Sequence, residues 1–198
     1  MEIFLETERL ILRRFTESDV DNLVELDSDP GVMRFLTGTP TPREVIETRT
    51  LPEFLGGAES GLGCWAAIER STGAFVGWFQ LRRPQWPLEA DGPDDAELGY
   101  RLRTTSWGKG YGTEGSAALI RKAFTALGAG RVVATTMAVN IASRRVMEKA
   151  GLRLVRTFHL TFPDPLPGTE HGEVEYALTR SDWERQDSAV RLAVSDPA

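Results

Sequence analysis

Apolar and polar residues recur with two different periods along this chain, and the period predicts the local structure. Residues 96–103 alternate strictly, with apolar side chains at 98, 100 and 102, which predicts a strand. Residues 113–127 instead carry apolar side chains at 117, 120, 124 and 127, which is a helical spacing. Gly128 then provides a typical helix end.

The same criteria predict the remaining elements and the fold class. Further strands are predicted at 9–15, 65–69, 74–81, 131–139, 152–161 and 173–179, and further helices after Thr16, at 42–55 and at 141–150. Strands and helices mix along the chain without a linker, so we expect one α/β (α+β) domain with a mixed central sheet of about six to seven strands. We expect the domain to occupy residues 1–185 and residues 186–198 to form a frayed C-terminal tail.

Composition excludes several classes of protein. The chain has 198 residues, of which 41% are hydrophobic and 26% charged, so it can bury a sizeable core. Its net charge of −6 argues against general binding to nucleic acid or anionic membranes. The start of the chain lacks the pattern of a signal peptide, and one cysteine with two histidines makes a structural zinc site improbable. We therefore expect a cytoplasmic protein without a nucleic-acid partner, a membrane partner or a metal.

Charge is unevenly distributed. The window 101–156 contains eleven basic and two acidic side chains, a local charge of +9, so the remainder carries −15. Such segregation is typical of a local site for a polyanionic ligand. The alternative, which charge alone leaves open, is a pair of solvated helix faces.

A glycine-rich segment, 107–115, lies between a predicted strand and a predicted helix. Glycine lets the backbone approach a ligand closely, and a helix N-terminus offers unpaired N–H groups, so the segment predicts a phosphate site to which Lys109 adds charge. The alternative is a glycine-rich turn without a ligand.

The run from Gly110 to Gly115 matches the dinucleotide fingerprint, but the next strand does not end in the acidic residue that the fingerprint requires. A Walker loop is excluded because no Ser or Thr follows Lys109.

Two motifs resemble those of a known enzyme superfamily. Residues 107–112, Trp-Gly-Lys-Gly-Tyr-Gly, resemble the acyl-CoA pyrophosphate motif [QR]-x-x-G-x-[GA] of the GNAT N-acetyltransferases, with Trp107 in place of Gln or Arg. Residues 140–152 resemble the family's N-x-x-S…E-K-x-G-[FL] helix at the expected distance. Together with the segments 6–13 and 174–183, they are similar to the RimJ/RimL-like branch, which acetylates the N-termini of ribosomal proteins.

The resemblance implies a fold and a cofactor site. It implies a GNAT-like domain in which the parallel strands 96–103 and 131–139 splay apart to hold acetyl-CoA, with helices on both faces of the sheet. The residues it implies for cofactor binding are Leu102, Trp107, Gly108, Lys109, Gly110, Tyr111, Gly112, Thr113, Asn140, Ser143, Arg144 and Lys149. Arg144, Arg145 and Lys149 are candidates for contacts with the nucleotide phosphates, and for each of them an exposed cationic helix face is an equally good interpretation.

The resemblance also implies catalytic roles. Glu97 matches the strand position where many members of the family place a general base; the alternative is an ordinary carboxylate paired with Arg101 or Arg103. The family's usual tyrosine acid is replaced by Met147, which cannot donate a proton. Ser143 lies one helical turn earlier and is our candidate for a hydrogen bond to the leaving sulfur.

The sequence says least about the acceptor. The resemblance implies direct acetyl transfer to a primary amine, either a protein N-terminus or a small molecule, by a monomer or homodimer. Four aromatic residues are candidates for an acceptor wall: Phe35, Trp65, Trp78 and Trp86. For Trp65 and Trp78, however, a place in the buried core is the better expectation. Polar residues near the last strands lie where related enzymes admit the acceptor: His159, His171, Glu173 and Glu175. The alternative function, motivated by Met147, is a non-catalytic acyl-CoA-binding module.

Overall fold

The computed structural model describes residues 2–56, 61–85, 92 and 94–195, with side chains up to residue 188. Its strands are β1 (Ile3–Glu6), β2 (Leu10–Arg14), β3 (Gly63–Glu69), β4 (Phe75–Arg82), β5 (Asp95–Leu102), β6 (Arg131–Met137), β7 (Arg153–Phe158) and β8 (Glu173–Thr179). Its helices are α1 (Val20–Ser28), α2 (Pro30–Met33), α3 (Arg43–Val45), α4 (Leu51–Gly56), α5 (Tyr111–Thr125), α6 (Ile141–Lys149) and α7 (Arg180–Ser195), with a π-helical turn, Ile46–Thr50, joining α3 to α4.

All the described strands form one mixed sheet, which confirms the predicted fold class. Their order is β1-β2-β3-β4-β5-β6-β8-β7, and β5 and β6 form its parallel pair. The sheet has eight strands rather than six to seven. The additional strand is β1, which pairs with β2 at the edge of the sheet. Its residues are exposed or half-buried, so they show no apolar alternation that the sequence could reveal.

Helices cover both faces of the sheet because successive side chains of each strand point to opposite sides. In β3, Trp65 and Ala67 pack in a core cluster with α5, whereas Cys64 and Ala66 pack in a second cluster with α1, α2 and α4. We call these two sides the α5 face and the α1 face. Met147 of α6 and Trp183 of α7 also pack on the α5 face.

The C-terminal helix runs into the segment that the sequence predicts to be a tail. α7 continues to Ser195, through most of the stretch expected to fray from residue 186. Trp183 packs against Phe124 with ring centroids 5.4 Å apart, and Asp187 pairs with Arg121 at 2.9 Å. These contacts to α5 depend on tertiary structure, which local composition does not report. The domain boundary at residue 185 remains a prediction.

The parallel pair separates soon after it forms. β5 and β6 are in register only from Asp95–Arg131 to Glu97–Val133. Beyond that point β5 continues along β4 to Leu102, and β6 continues along β8 to Met137. The predicted splayed pair is therefore present, with a gap between the two strands toward their C-terminal ends.

Close packing places the glycine segment at that gap. A Cβ at Gly115 would lie 2.3 Å from the ring of Phe79, so only glycine lets α5 rest directly on β4. The N-terminus of α5 consequently lies beside the end of β5, where the strands have separated. The fold thus brings the segment predicted to bind phosphate to the edge of the splayed pair.

Candidate active site

A cleft of about 760 Å³ opens where β5 and β6 separate. On the α5 face it is lined by the segment before α5, the first turn of α5, and α6. On the α1 face it is lined by α2 and the turn after it, by the ends of β4, β5 and β6, and by the start of β8. The predicted cofactor residues that line it are Leu102, Trp107, Gly108, Gly110, Tyr111, Gly112, Thr113, Asn140, Ser143 and Lys149.

The backbone amides of residues 108–113 form the most distinctive feature of this cleft. Gly108 and Gly110 adopt φ values of 73° and 85°, which turn the chain into the first turn of α5. None of these amides donates to an acceptor within the described part of the chain, whereas the next one, Glu114 N, donates to the Gly110 carbonyl. Consecutive unpaired N–H groups at a helix N-terminus bind anions such as phosphate. This segment, which we call the amide cradle, therefore suits the pyrophosphate of acetyl-CoA.

Residues from the turn between β1 and β2 brace the amide cradle from behind. Arg9 Nη1 donates to the Lys109 carbonyl at 2.9 Å, and Arg9 Nε donates to Glu114 Oε2 at 2.7 Å. Burial opposes ionisation of Glu114, but hydrogen bonds from Thr7 and Arg9 outweigh it and hold the pKa of this carboxyl below its usual value. Sequence reasoning missed this brace, because more than 100 residues separate Arg9 from Glu114.

Two aromatic residues that are predicted to bind the cofactor also hold this part of the structure together. The Trp107 indole donates to the Leu102 carbonyl at 2.9 Å and so ties the cradle to the end of β5. Tyr111 is buried, and its hydroxyl donates to Glu69. Leu102 and Tyr111 both line the cleft.

The start of α6 forms the wall opposite the cradle. Asn140 Oδ1 accepts a hydrogen bond from Ser143 N at 3.2 Å, which caps the helix. The Ser143 hydroxyl lies 2.8 Å from the Tyr100 hydroxyl, and both side chains line the cleft. Burial raises the pKa of Tyr100 to about 12, so this phenol stays protonated at neutral pH. Met147 is buried in the α5-face core, as predicted for a packing residue.

The predicted cationic residues divide between different environments. Arg144 lies outside this cleft, where it donates to the Tyr176 hydroxyl and the Ala138 carbonyl, whereas its neighbour Arg145 lines the cleft. The reason is helix geometry, since consecutive residues differ by about 100° around the axis. Lys149 lines the cleft, whereas Lys109 does not; the Lys109 carbonyl accepts a hydrogen bond from Arg9.

Glu97 reaches the cleft on the α1 face, engaged in an ion pair that the sequence did not predict. Arg82 on β4 donates to both of its carboxylate oxygens, from Nε and Nη2, each at 2.8 Å. The predicted partners are engaged elsewhere: Arg101 pairs with Asp27 at 2.5 Å and Arg103 with Glu25 at 2.7 Å, both on α1.

The predicted acceptor-side residues also divide. Phe35, Trp78 and Glu173 line the cleft, whereas Trp65 is fully buried in the core and Trp86 lies outside the described residues. His171 lines a separate, shallower depression together with Arg144, and Glu175 is buried against Arg156 at 2.7 Å. In the described ranges no helix is long and apolar enough to cross a membrane, and no group of three acidic, histidine or cysteine side chains is placed to hold a metal.

Comparison with known proteins agrees with this geometry. Residues 9–153 match the model of the acetyltransferase (GNAT) domain family. The chain is 36% identical to the FsC-acetyl coenzyme A-N(2)-transacetylase of Aspergillus fumigatus, over 91% of this chain and 78% of that protein. It is 25% identical to the uncharacterized N-acetyltransferase YnaD of Bacillus subtilis, over 90% of this chain and 98% of that protein.

Solved structures share the fold. A GNAT-family acetyltransferase from Bacillus anthracis superposes with a TM-score of 0.74 at 24% identity, covering 91% of this chain and 99% of that one. The aminoglycoside acetyltransferase AAC(6')-Ib in complex with coenzyme A superposes with a TM-score of 0.68 at 23% identity, covering 89% of this chain and 98% of that one.

A splayed parallel pair, an amide cradle and a cleft that reaches both faces of the sheet define an acyl-CoA-dependent transferase. The chain belongs to the GNAT acetyltransferase family, and its acyl donor is acetyl-CoA.

Proposed function

We propose that this enzyme acetylates a small primary amine, with Ser143 assisting departure of the thiolate. The observation that carries the donor half is the amide cradle, whose amides at 108–113 have no acceptor within the described chain. Those amides supply fixed partial positive charge for the pyrophosphate. Arg145 and Lys149 on α6 add mobile charge to the same cleft. Acetyl-CoA, when bound, supplies the thioester that the amine attacks.

Ser143 is our candidate for the residue that assists the leaving group. Its hydroxyl lies in the cleft, fixed by the hydrogen bond to Tyr100 and by the first turn of α6. We assign it a hydrogen bond to the departing sulfur, with Tyr100 keeping the hydroxyl oriented. A thiol with a pKa near 8–9 leaves without a strong acid, so this assistance compensates for Met147.

The α1 face supports a small, cationic acceptor. Val32, Phe35, Leu36 and Trp78 give this side of the cleft an apolar wall, and Glu97 and Glu173 bring carboxylates to it. A primary amine with an apolar body suits both features. The name of the Aspergillus fumigatus relative, which describes transfer from acetyl-CoA to an N(2) nitrogen of FsC, also favours this acceptor class over a protein N-terminus. Membership of the RimJ/RimL-like branch and a cytoplasmic location remain predictions from the sequence.

The proposal is tested in two steps. Calorimetry with acetyl-CoA measures donor binding, and a thiol-release assay then measures turnover with leucine ethyl ester, phenethylamine, spermidine and a peptide that begins with serine. We expect saturable binding and the fastest thiol release with the two compact apolar amines. Release with the peptide alone would reassign the enzyme to protein N-termini. Binding without release from any acceptor would favour the acyl-CoA-binding module.

A further inference from the structure

Two carboxylates reach the cleft from opposite sides of the gap between β5 and β6. Glu97 is on β5, and Glu173 begins β8, where it pairs in register with Met137 of β6. Both point to the α1 face, because the residues that follow them, Leu98 and Val174, belong to the core on the α5 face. Both carboxylates are therefore on the side from which the acceptor enters, and their surroundings decide which one is free to take a proton.

The surroundings of Glu97 favour a structural role. Arg82 occupies both carboxylate oxygens in a bidentate arrangement, and only 12% of the Glu97 side chain is exposed. Charge-assisted bidentate bonds of this kind stabilise the anion and occupy the lone pairs that a base would use. The Arg82–Glu97 ion pair joins β4 to β5 at the closed end of the gap, because Glu97 is the last residue of β5 in register with β6, opposite Val133.

Glu173 is placed differently. It is half-buried and has no hydrogen-bond or ion-pair partner among the residues that the structure describes. Its register neighbours are apolar, Met137 on β6 and Phe158 on β7. Burial raises the pKa of Glu173 above the usual glutamate value. A carboxylate of this kind retains accepting lone pairs and gains stability on protonation.

Most of the described charged groups on the neighbouring elements are engaged with other partners, and His159 lies with its ring beside Gly172. On β7 and β8, Arg156 and Glu175 pair with each other at 2.7 Å. In the turn before β8, His171 lies 3.6 Å from Glu170, and His159 follows the end of β7. Across the gap on β5, Arg101 pairs with Asp27 and Glu97 with Arg82. These pairings leave Glu173 as the cleft carboxylate with unengaged oxygens.

We infer that Glu173, rather than Glu97, is the general base that accepts the proton of the acceptor amine. This assignment rests on the proposed amine acetylation. The Glu173 carboxylate takes one proton from the substrate ammonium and frees the nitrogen lone pair. The nitrogen then forms a bond to the thioester carbonyl carbon, and the carbon–sulfur bond breaks with its electron pair going to sulfur. The second nitrogen proton passes through the Ser143 hydroxyl or water to that sulfur, so the products are the amide, the free thiol and protonated Glu173.

The test compares three isosteric variants, Glu173→Gln, Glu97→Gln and Glu170→Gln. Glu170 is the matched control, because it lies three residues before Glu173 and its side chain is 70% exposed. With the fastest amine of the panel, we expect Glu173→Gln to lower kcat about 100-fold or more, the range for loss of a general base. We expect its KM for acetyl-CoA and its Tm to stay close to wild type. Glu97→Gln should lower Tm and reduce kcat less than about 10-fold, and Glu170→Gln should match wild type.

Two readouts separate a base from a merely structural carboxylate. In wild type, kcat/KM for the amine should fall as pH drops through the raised pKa of Glu173, because only the carboxylate accepts a proton; Glu173→Gln should lack that acidic limb. In addition, formate should restore part of the activity of Glu173→Ala and none of the activity of Glu97→Ala.

The outcomes distinguish this assignment from the proposed function. Absence of thiol release from wild type with every amine overturns the proposed function and this assignment together. Wild-type release that persists within about threefold in Glu173→Gln overturns the assignment alone. The same holds if Glu97→Gln, and not Glu173→Gln, abolishes release and removes the acidic limb.

Discussion

The two sides of the cleft are built in different ways. The α5-face side consists largely of backbone amides from one continuous segment, 108–113, together with the start of α6. The α1-face side consists of side chains from α2, β4, β5 and β8, which are far apart along the chain. On the proposed function, donor binding would depend on local backbone conformation, and acceptor binding would depend on side chains that tertiary contacts hold in place.

Ion pairs supply much of that positioning on the α1 face. Arg101 joins β5 to α1 through Asp27, and its guanidinium lies 5.3 Å from the centroid of the Trp78 ring. Only 4% of the Asp27 side chain is exposed, so its charge is compensated mainly by this partner and by a hydrogen bond from Thr41. At the cradle the Arg9–Glu114 pair only braces the segment from behind, and the backbone amides themselves face the cleft. The predictions below separate these two modes of construction.

The largest effect is expected from breaking the buried pair on the α1 face. Asp27→Asn leaves Arg101 without its counter-charge, which should lower the free energy of unfolding by about 3 kcal/mol, as for other buried pairs that lose one partner. Asp21→Asn is the control, because Asp21 pairs with Arg43 at the surface, where such a change costs less than about 1 kcal/mol. Urea denaturation monitored by tryptophan fluorescence measures both values. Equal losses in the two variants would contradict the account.

The second-largest effect is expected on kcat, from removing the hydroxyl that assists the leaving group. Ser143→Ala removes the hydroxyl that we place near the sulfur and should lower kcat about 30-fold, equivalent to about 2 kcal/mol, with little change in KM for acetyl-CoA. Tyr100→Phe, which removes only the orienting partner, should have a smaller effect. Steady-state thiol release measures both.

Ser116→Ala on α5 is the control for that prediction. Its hydroxyl is buried and has no hydrogen-bond partner in the described chain, so alanine there should leave kcat unchanged and should not destabilise the protein. A loss of activity in Ser116→Ala as large as that in Ser143→Ala would indicate general disturbance of the α5 face.

Two glycines with similar positive φ values allow the cradle to be compared with an ordinary turn. Gly108 and Gly128 have φ values of 73° and 76°, and an added Cβ meets no atom within 4 Å at either position. Alanine at each should therefore cost a similar amount, about 1–2 kcal/mol. Only Gly108→Ala should also raise the Kd for acetyl-CoA, about 10-fold, because it alters the amides that hold the pyrophosphate. Calorimetry on both variants measures the difference, and an equal change in Kd would contradict the cradle.

The smallest effect compares two neighbouring arginines. Arg145→Gln should raise the Kd for acetyl-CoA about threefold, because Arg145 lines the cleft and contributes a solvent-screened charge. Arg144→Gln should leave this Kd unchanged and lower stability instead, since Arg144 joins α6 to Tyr176. The reverse result would place the nucleotide on the other face of α6.

The local structure of the donor side could be predicted from the sequence because the information for it is local. The glycine positions, the helix that follows them and the Asn140 cap all lie within short segments whose spacing is visible in the chain. The alternation of residues 96–103 likewise predicted which residues of β5 share a face. Strand β1 was missed because it is an edge strand that lacks apolar alternation.

The acceptor side was harder to predict because it depends on long-range pairing. Arg82 meets Glu97 only through the antiparallel register of β4 and β5, so the sequence suggested nearer arginines instead. The positions of Tyr100 against Ser143, and of Arg9 against Glu114, depend in the same way on contacts between distant elements. Glu173 was visible as a polar residue at the start of a strand, but only the structure shows that it has no partner among the residues described.

The central claim is that the backbone amides of residues 108–113 bind the pyrophosphate of acetyl-CoA beside the splayed strands. Amide ¹H–¹⁵N NMR of the labelled enzyme, titrated with acetyl-CoA, tests it most directly. We expect the largest saturable shifts at residues 108–113, smaller shifts at Ser143 and Arg145, and none at Gly128. Tight binding that leaves the amides of 108–113 unshifted would contradict the account.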